Sequence, residues 1–244
     1  MKAWIAFSSI LMKDMRSYYL KPPNISWGLI FPVAWTLMFF LRSPVPVEVR
    51  DLLPGVMAMS ILFGTTSMLA VTITFERKSR SFERLLLAPL SLNLLMLAKT
   101  SGAIMFGVIN AFVPVLFASF MTDLSGINWL MALGSVIFIA VTSTFLGLFI
   151  AVSVSQVFEA QTFSNFFRFP MLFLCGLFIP LADLPVFLQP LSYALPLTYG
   201  ADILKMAINY NGIISVPISF FMLLAFSTFL FAYSIYNVNR KWIH

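Results

Sequence analysis

Residues 52–75 read LLPGVMAMSILFGTTSMLAVTITF, without a single Asp, Glu, Lys or Arg. Crossing a hydrocarbon layer about 30 Å thick takes about 20 mostly apolar residues in helical form, and this run is long enough. Two more uncharged runs, Thr100 to Thr122 and Met206 to Asn239, pass the same test. Lipid offers no partner to backbone N–H and C=O groups, so a spanning segment is either a helix or part of a closed barrel. Barrel strands alternate in polarity, and these runs do not, so they read as helices. Composition agrees. With 60% hydrophobic residues, 10% charged residues and a mean hydropathy of +0.95, the chain has too little polar surface to cover a water-soluble globule.

The expected fold is an all-α membrane protein, one transmembrane domain over residues 1–244 with six transmembrane helices. They run from Ile25 to Leu41, Leu52 to Phe75, Thr100 to Met121, Asn128 to Val152, Thr162 to Leu181 and Ile213 to Tyr236. The fifth contains Arg168 followed by Pro170, so it is expected to start in the headgroup region with the arginine reaching toward water. Ser143, Gly147, Ala151 and Ser155 recur every four residues and form a small face suited to close helix packing within the chain.

Basic residues near span ends are retained on the cytoplasmic side. With the N-terminus inside, the cytoplasmic segments hold Lys2, Lys13, Arg16, Lys21, Arg77, Lys78, Arg80, Arg84, Lys99, Arg168, Arg240 and Lys241. Only Arg42, Arg50 and Lys205 lie outside, so both termini are placed in the cytoplasm of a prokaryotic-type inner membrane. The net charge of +6 is thereby a matter of topology and the anionic inner leaflet, not a sign of nucleic-acid binding.

Residues 1–23 precede the first span. At 100° per residue Trp4, Phe7, Leu11, Met15 and Tyr18 share one face and Lys2, Ser9 and Lys13 the other, the pattern of a helix lying in the interface. Pro22 and Pro23 end it. Residues 76–93 form a charged insert between spans two and three. Glu76, Arg77, Lys78, Arg80, Glu83 and Arg84 lead into Leu85, Leu86 and Leu87, then Pro89. Glu76 with Arg80, and Arg80 with Glu83, have helical pairing distance. The charges suit a solvated loop; the leucines suit a docking surface. Residues 182–212 carry Pro185, Pro190 and Pro196 after Pro180, which forbids a straight helix and predicts short re-entrant pieces on the outer side.

These segments resemble one family, the six-span permease subunits of type 2 ATP-binding-cassette exporters of drugs, lipo-oligosaccharides and polysaccharides. The stretch from Phe75 to Leu90 is similar to the family's coupling segment, in which Glu-Arg is followed by a second Glu-Arg-Leu-Leu and a proline. Gly176 to Pro185, continued by Pro190, Leu195 to Tyr199 and Asp202 to Leu204, is similar to its proline-punctuated region between spans five and six. The N-terminal interfacial helix is the third likeness. One departure stands out: Arg80-Ser81 occupies the place where the family usually has Gly-Thr.

The resemblance implies that Glu76, Arg77, Arg80, Glu83, Arg84, Leu86 and Pro89 form an ATPase-coupling segment. It implies that Trp4, Phe7, Leu11 and Met15 belong to a supporting helix, and that Pro180, Pro185, Pro196 and Tyr199 close an extracytoplasmic gate. The expected partners are a phosphate-loop ATPase subunit, a second copy of this chain or a related one, and membrane lipids. The chain contains no Gly-x4-Gly-Lys-Ser/Thr loop, so ATP and magnesium are expected on the partner and no cofactor on this chain. His244 and Cys175 are its only histidine and cysteine, which leaves no metal site or catalytic nucleophile to assemble. The cargo expected of such a subunit is hydrophobic or amphiphilic. Two other classes fit the same residues: an ion-coupled carrier acting alone, and a membrane scaffold that transports nothing.

Overall fold

The structure, a computed structural model, describes residues 2–42, 48–87 and 91–242, and all regular structure among them is helical. Helix α1 (Lys2–Asp14) runs into a π-helical stretch, Met15–Tyr19. Helix α2 (Pro22–Ile25), a second π stretch (Ser26–Ile30) and α3 (Phe31–Arg42) follow one another. The long helices are α4 (Val49–Lys78), α6 (Leu92–Ala118), α7 (Trp129–Ser153), α8 (Val157–Leu174) and α11 (Val216–Trp242). Short α5 (Ser81–Leu86) joins α4 to α6, and α9 (Gln189–Tyr193) and α10 (Pro196–Asn209) lie between α8 and α11.

The stretch 52–75 falls within α4 and organises the rest. It is apolar on every side, and a helix without a polar stripe is stable only when surrounded. Every residue from Leu53 to Ser67 is buried, with α6, α7, α8 and α10 packed around them. Helix α7 comes closest because of its small face. A Cβ on Gly147 would sit 2.3 Å from the carbonyl oxygen of Thr66, while Thr66 Oγ1 donates to the Ser143 carbonyl at 3.2 Å. That face is used inside the chain, as its spacing suggested, although Ser155 lies beyond the helix.

Among the described residues, α4, α6, α7 and Val216–Arg240 of α11 are each long and apolar enough to cross a bilayer. The stretch expected as span one keeps only a shorter apolar helix, Ser26–Met38. Its π turn contains Gly28, where a Cβ would meet the amide of Asn110 at 2.5 Å and the Cα of Gly64 at 3.1 Å. The fifth segment also differs from the expected 162–181. It starts at Val157, where Gln156 and Glu159 form a capping box, and ends at Leu174 before Gly176 turns the backbone left-handed at φ 72°. Arg168 does not reach toward water; it is fully buried.

The N-terminal helix forms, but its buried line is shifted from the expected one. Trp4 is 72% exposed and stacks on Phe7, while Phe7, Leu11, Met15 and Tyr18 are only half-buried. The residues that are fully covered are Ile10, Asp14 and Tyr19. Beyond Asp14 the π stretch adds to the shift: its wider turn breaks the 100° spacing and brings Tyr19 inward in place of Tyr18.

The proline-rich region folds as short pieces, as expected. Pro190 and Pro196 stand in the first turns of α9 and α10, where a missing N–H costs nothing. Every residue of α10 from Leu197 to Leu204 is buried, and α10 packs against α4, α7 and α11.

Candidate functional site

The charged residues gather at the two ends of the helical array. The end carrying α1 and α5 is the richer. There α4 finishes its last turn with Glu76, whose side chain is wholly buried, beside wholly buried Lys99 of α6 and nearly buried Asp14 of α1. Lys99 Nζ donates to Glu76 and, at 3.1 Å, to Asp14 Oδ1. Lys13, half-exposed at the rim, donates to Glu76 and lies 3.2 Å from Asp14. Two cations and two carboxylates thus compensate one another, three of them out of water and Lys13 at the rim.

Such a cluster holds only as a set, because each buried ion loses several kcal/mol of hydration that its partners must restore. Burial raises the Asp14 carboxyl above its usual value, against the opposing pull of Lys99. Burial lowers the Lys13 ammonium, but its bond to Glu76 and the nearby Asp14 outweigh this and the net shift is upward. The phenol of Tyr18 is raised by burial and then by Glu76.

An apolar cluster lies against the charges. Ile10 and Tyr19, Leu69 and Ile73 of α4, Phe82 of α5 and Leu95 of α6 are all buried in it. Phe82 is 1% exposed and fixes α5 to the core, while Leu85 and Leu86 are half-buried against the same cluster. Glu83, Arg84 and Leu87 face outward, Leu87 with 86% of its surface free. The charged-loop and docking-surface readings are therefore divided between residues: two leucines anchor the helix and one is presented with the charges. Pro89 lies outside the described residues.

The turn between α4 and α5 resolves the Arg80 departure. Arg80 has φ 56° and ψ 12°, the left-handed conformation that glycine adopts at least cost. The turn keeps a glycine-type shape with arginine in it. Ser79 and Ser81 both donate to the Glu76 carbonyl at 3.2 Å and hold the end of α4. The expected helical pairs do not form. Glu76 belongs to α4 and turns inward to the lysines, and neither Arg80 nor Glu83 has an ion-pair partner among the described residues. Arg77 donates to the Val154 carbonyl and Lys78 to Gln156, both at 3.1 Å, which fastens the same end to the α7–α8 turn.

Lys99 and Asp14 are the residues that the sequence did not reveal as partners. Nothing in either helix marks the pairing: Lys99 is the only charged residue of α6, Asp14 ends α1 beside Lys13, and 85 residues separate the two. The available signal was Asp14 itself, the only acid of an otherwise basic interfacial helix.

The opposite end is held by side chains bonded to backbone. Arg50 donates to the Ile208 carbonyl at 2.9 Å and to the Ser125 carbonyl at 3.1 Å. Asp202 accepts from the N–H groups of Ile213 and Ile214 at 2.8 and 3.0 Å. Tyr199 donates to the Tyr193 carbonyl at 2.8 Å, and Lys205 to that of Gly176. Pro180, Cys175, Thr198, Asp202 and Lys205 line a cavity of about 150 Å³ there. Of the expected gate residues, Pro180, Pro196 and Tyr199 thus stand within this end, and Pro185 is exposed at its edge.

The sequence profile of the ABC-2 type transporter family matches residues 5–209, which takes in most of α1, the charge cluster, α5 and all of α10. The inner membrane transport permease YadH of Escherichia coli K12 is 23% identical over 223 residues, covering 88% of this chain and 86% of that protein. The proteins of the same name from Escherichia coli O157:H7 and Shigella flexneri align to the same extent. The helical array, the uncharged spans and the profile agree: the chain belongs to the ABC-2 type transporter family, as a multi-pass membrane permease subunit of an ABC exporter whose ATP-binding partner is a separate subunit.

Proposed function

We propose that this subunit moves a hydrophobic or amphiphilic cargo, such as a drug, a lipid or a lipid-linked oligosaccharide, outward by alternating access. The chain crosses the membrane six times with both termini in the cytoplasm, the α2–α3 stretch and α8 serving as the two less apolar crossings. Two copies assemble with the ATPase subunits, and ATP and magnesium are bound there. Helix α5 receives the ATPase through Glu83, Arg84 and Leu87. Helix α1 supports it, and the stretch from Pro180 to Tyr199 closes the outer end.

The observation that carries this reading is the placement of α5. It presents two charges and an apolar side chain outward while Phe82 and the neighbouring Glu76 tie it to α4, the helix around which the array is packed. A displacement of α5 therefore acts directly on the core of the protein, as a packed interior transmits strain rather than absorbing it. The uneven charge supports the orientation, since the α5 end bears most of the Lys and Arg.

The test is co-purification. A tagged chain extracted in mild detergent is expected to bring down a soluble phosphate-loop ATPase in equal amount. Glu83→Lys is expected to lose it while inserting normally. Normal transport by Glu83→Lys overturns the assignment of α5. Repeated recovery of the chain without any ATPase favours an ion-coupled carrier or a scaffold instead.

A further inference from the structure

Among the described residues Arg168 is the one charged side chain placed far from both ends of the array. It is 0% exposed, on α8, with its guanidinium carbon 4.5 Å from the centre of the Phe63 ring. Phe63 stands at the middle of the uncharged run 52–75. Arg168 itself is eleven residues into α8, about 16 Å along the axis at 1.5 Å per residue. Two independent helices thus place the charge near mid-membrane. One terminal nitrogen donates to the Asn165 side chain, and the other reaches the Phe63 carbonyl at 3.4 Å. Nε has no partner.

A cation at this depth is costly without a counter-ion. This chain does not supply one. Asp14, Glu76, Glu83 and Glu159 sit at one end of the helices and Glu48, Asp51, Asp123, Asp183 and Asp202 at the other. Asp202, on buried α10, is already committed to two backbone N–H groups. A second copy related by an axis along the membrane normal has its acids at the same levels, so dimerisation does not neutralise Arg168 either.

The cover over the guanidinium is thin. Asn165 is half-buried, and Phe169, 40% exposed, packs edge-on against Phe63 at 6.1 Å. Displacing Asn165 frees the terminal nitrogen it holds, which joins the unpartnered Nε as a second donor, and the phenylalanines beside them offer apolar contact. The geometry points to Arg168 as the residue that takes the anionic group, carboxylate, phosphate or sulfate, of an amphiphilic guest whose apolar part lies along α4 and α8. This rests on the exporter reading above and narrows its cargo to anionic amphiphiles.

Trp35 provides the reporter, since it packs against Phe31, which touches Phe63, and against Phe173 of α8. The full chain, with Trp35 as sole tryptophan, is placed in phosphatidylcholine nanodiscs and titrated with 9,10-dibromostearate or its methyl ester. A chain with Trp129 alone reports the concentration in the surrounding lipid. After that correction the acid is expected to quench Trp35 at a concentration at least tenfold lower than the ester. Arg168→Gln should abolish the difference and Arg168→Lys should retain part of it. A brominated phosphatidylglycerol, added in the same way, distinguishes the bilayer's own anionic lipid from a single-chain guest; Arg168-dependent quenching by either supports the site.

Equal quenching by acid and ester, together with equal quenching by the brominated phosphatidylglycerol and a brominated phosphatidylcholine, in the chain with Arg168 overturns the proposal without recourse to a variant, even if Arg168→Gln does not fold. A preference that survives Arg168→Gln also overturns it. No ATPase takes part, so failure here is separable from failure of the coupling assignment.

Discussion

The two ends of this permease are fastened by different chemistry. At the α5 end four side chains, Lys13, Asp14, Glu76 and Lys99, satisfy one another. At the α10 end Arg50, Asp202 and Lys205 are each bonded to backbone groups of other segments. Mutually paired charges stand or fall together, whereas separate side-chain-to-backbone bonds fail one at a time. The first arrangement lets one element's displacement be felt by α1, α4 and α6 at once. The second holds short helices in place individually.

The comparison is broken most severely at Glu76. Glu76→Ala leaves Lys99 buried with one carboxylate in place of two, and removing one partner of a buried ion pair costs about 3–5 kcal/mol. Lys99→Met should cost a similar amount. The double variant Glu76→Ala/Lys99→Met should recover part of the loss, with an interaction energy within the range of about 0.5–3 kcal/mol found for contacting residues. Thermal unfolding in mild detergent measures all three. Strict additivity would show that the four charges do not act as a set.

At the other end the expected behaviour is the opposite. Asp202→Ala strands two backbone donors at Ile213 and Ile214, a loss of about 1–3 kcal/mol for each that remains buried without another partner. Combined with Arg50→Ala, which releases Ile208 and Ser125, the effects should add to within about 0.3–0.5 kcal/mol. Strong coupling between these two would erase the contrast between the ends.

Asp14 sharpens the comparison through pH. Burial raises its carboxyl above the ordinary 3.8, so the folded protein keeps that proton to a higher pH than the unfolded chain does. Between 3.8 and the raised value the folded state binds more protons, and stability from this group falls as pH rises. Asp14→Asn is expected to flatten that slope. A slope unchanged in Asp14→Asn would assign it to another group.

The array was legible because span length and charge asymmetry are properties of single segments. Residues 52–75 had to be a membrane helix, and with no polar stripe that helix had to be surrounded. The prolines at 190 and 196 likewise announced short helices without reference to anything distant. The charge cluster was not legible, since Asp14, Glu76 and Lys99 meet only after three helices have packed. Arg168 was misplaced for the related reason that its depth is set by where α8 begins. That start depends on the Glu159 capping box, several residues before the apolar stretch. The interfacial helix was drawn with uniform spacing, and a π turn undid the register beyond Met15.

The smallest expected effect is at Arg80, and it tests whether the turn at the α5 end is merely tolerated. A left-handed backbone costs a side-chain-bearing residue about 1–2 kcal/mol relative to glycine. Arg80 gains nothing visible in return, being exposed and without an ion-pair partner among the described residues. Glycine also loses more conformational entropy on folding, which offsets about 0.5–1 kcal/mol of the relief. Arg80→Gly should therefore leave the turn intact and raise stability by about 1 kcal/mol or less, read as a small upward shift in unfolding temperature. Were the variant instead to lose stability, Arg80 would be contributing contacts of its own. The natural place to seek them is the outward face of α5, where Glu83 and Arg84 are proposed to receive the ATPase. A stability loss appearing only in the free permease, and a coupling loss appearing only in the complex, would separate a contact within the chain from one made to the partner.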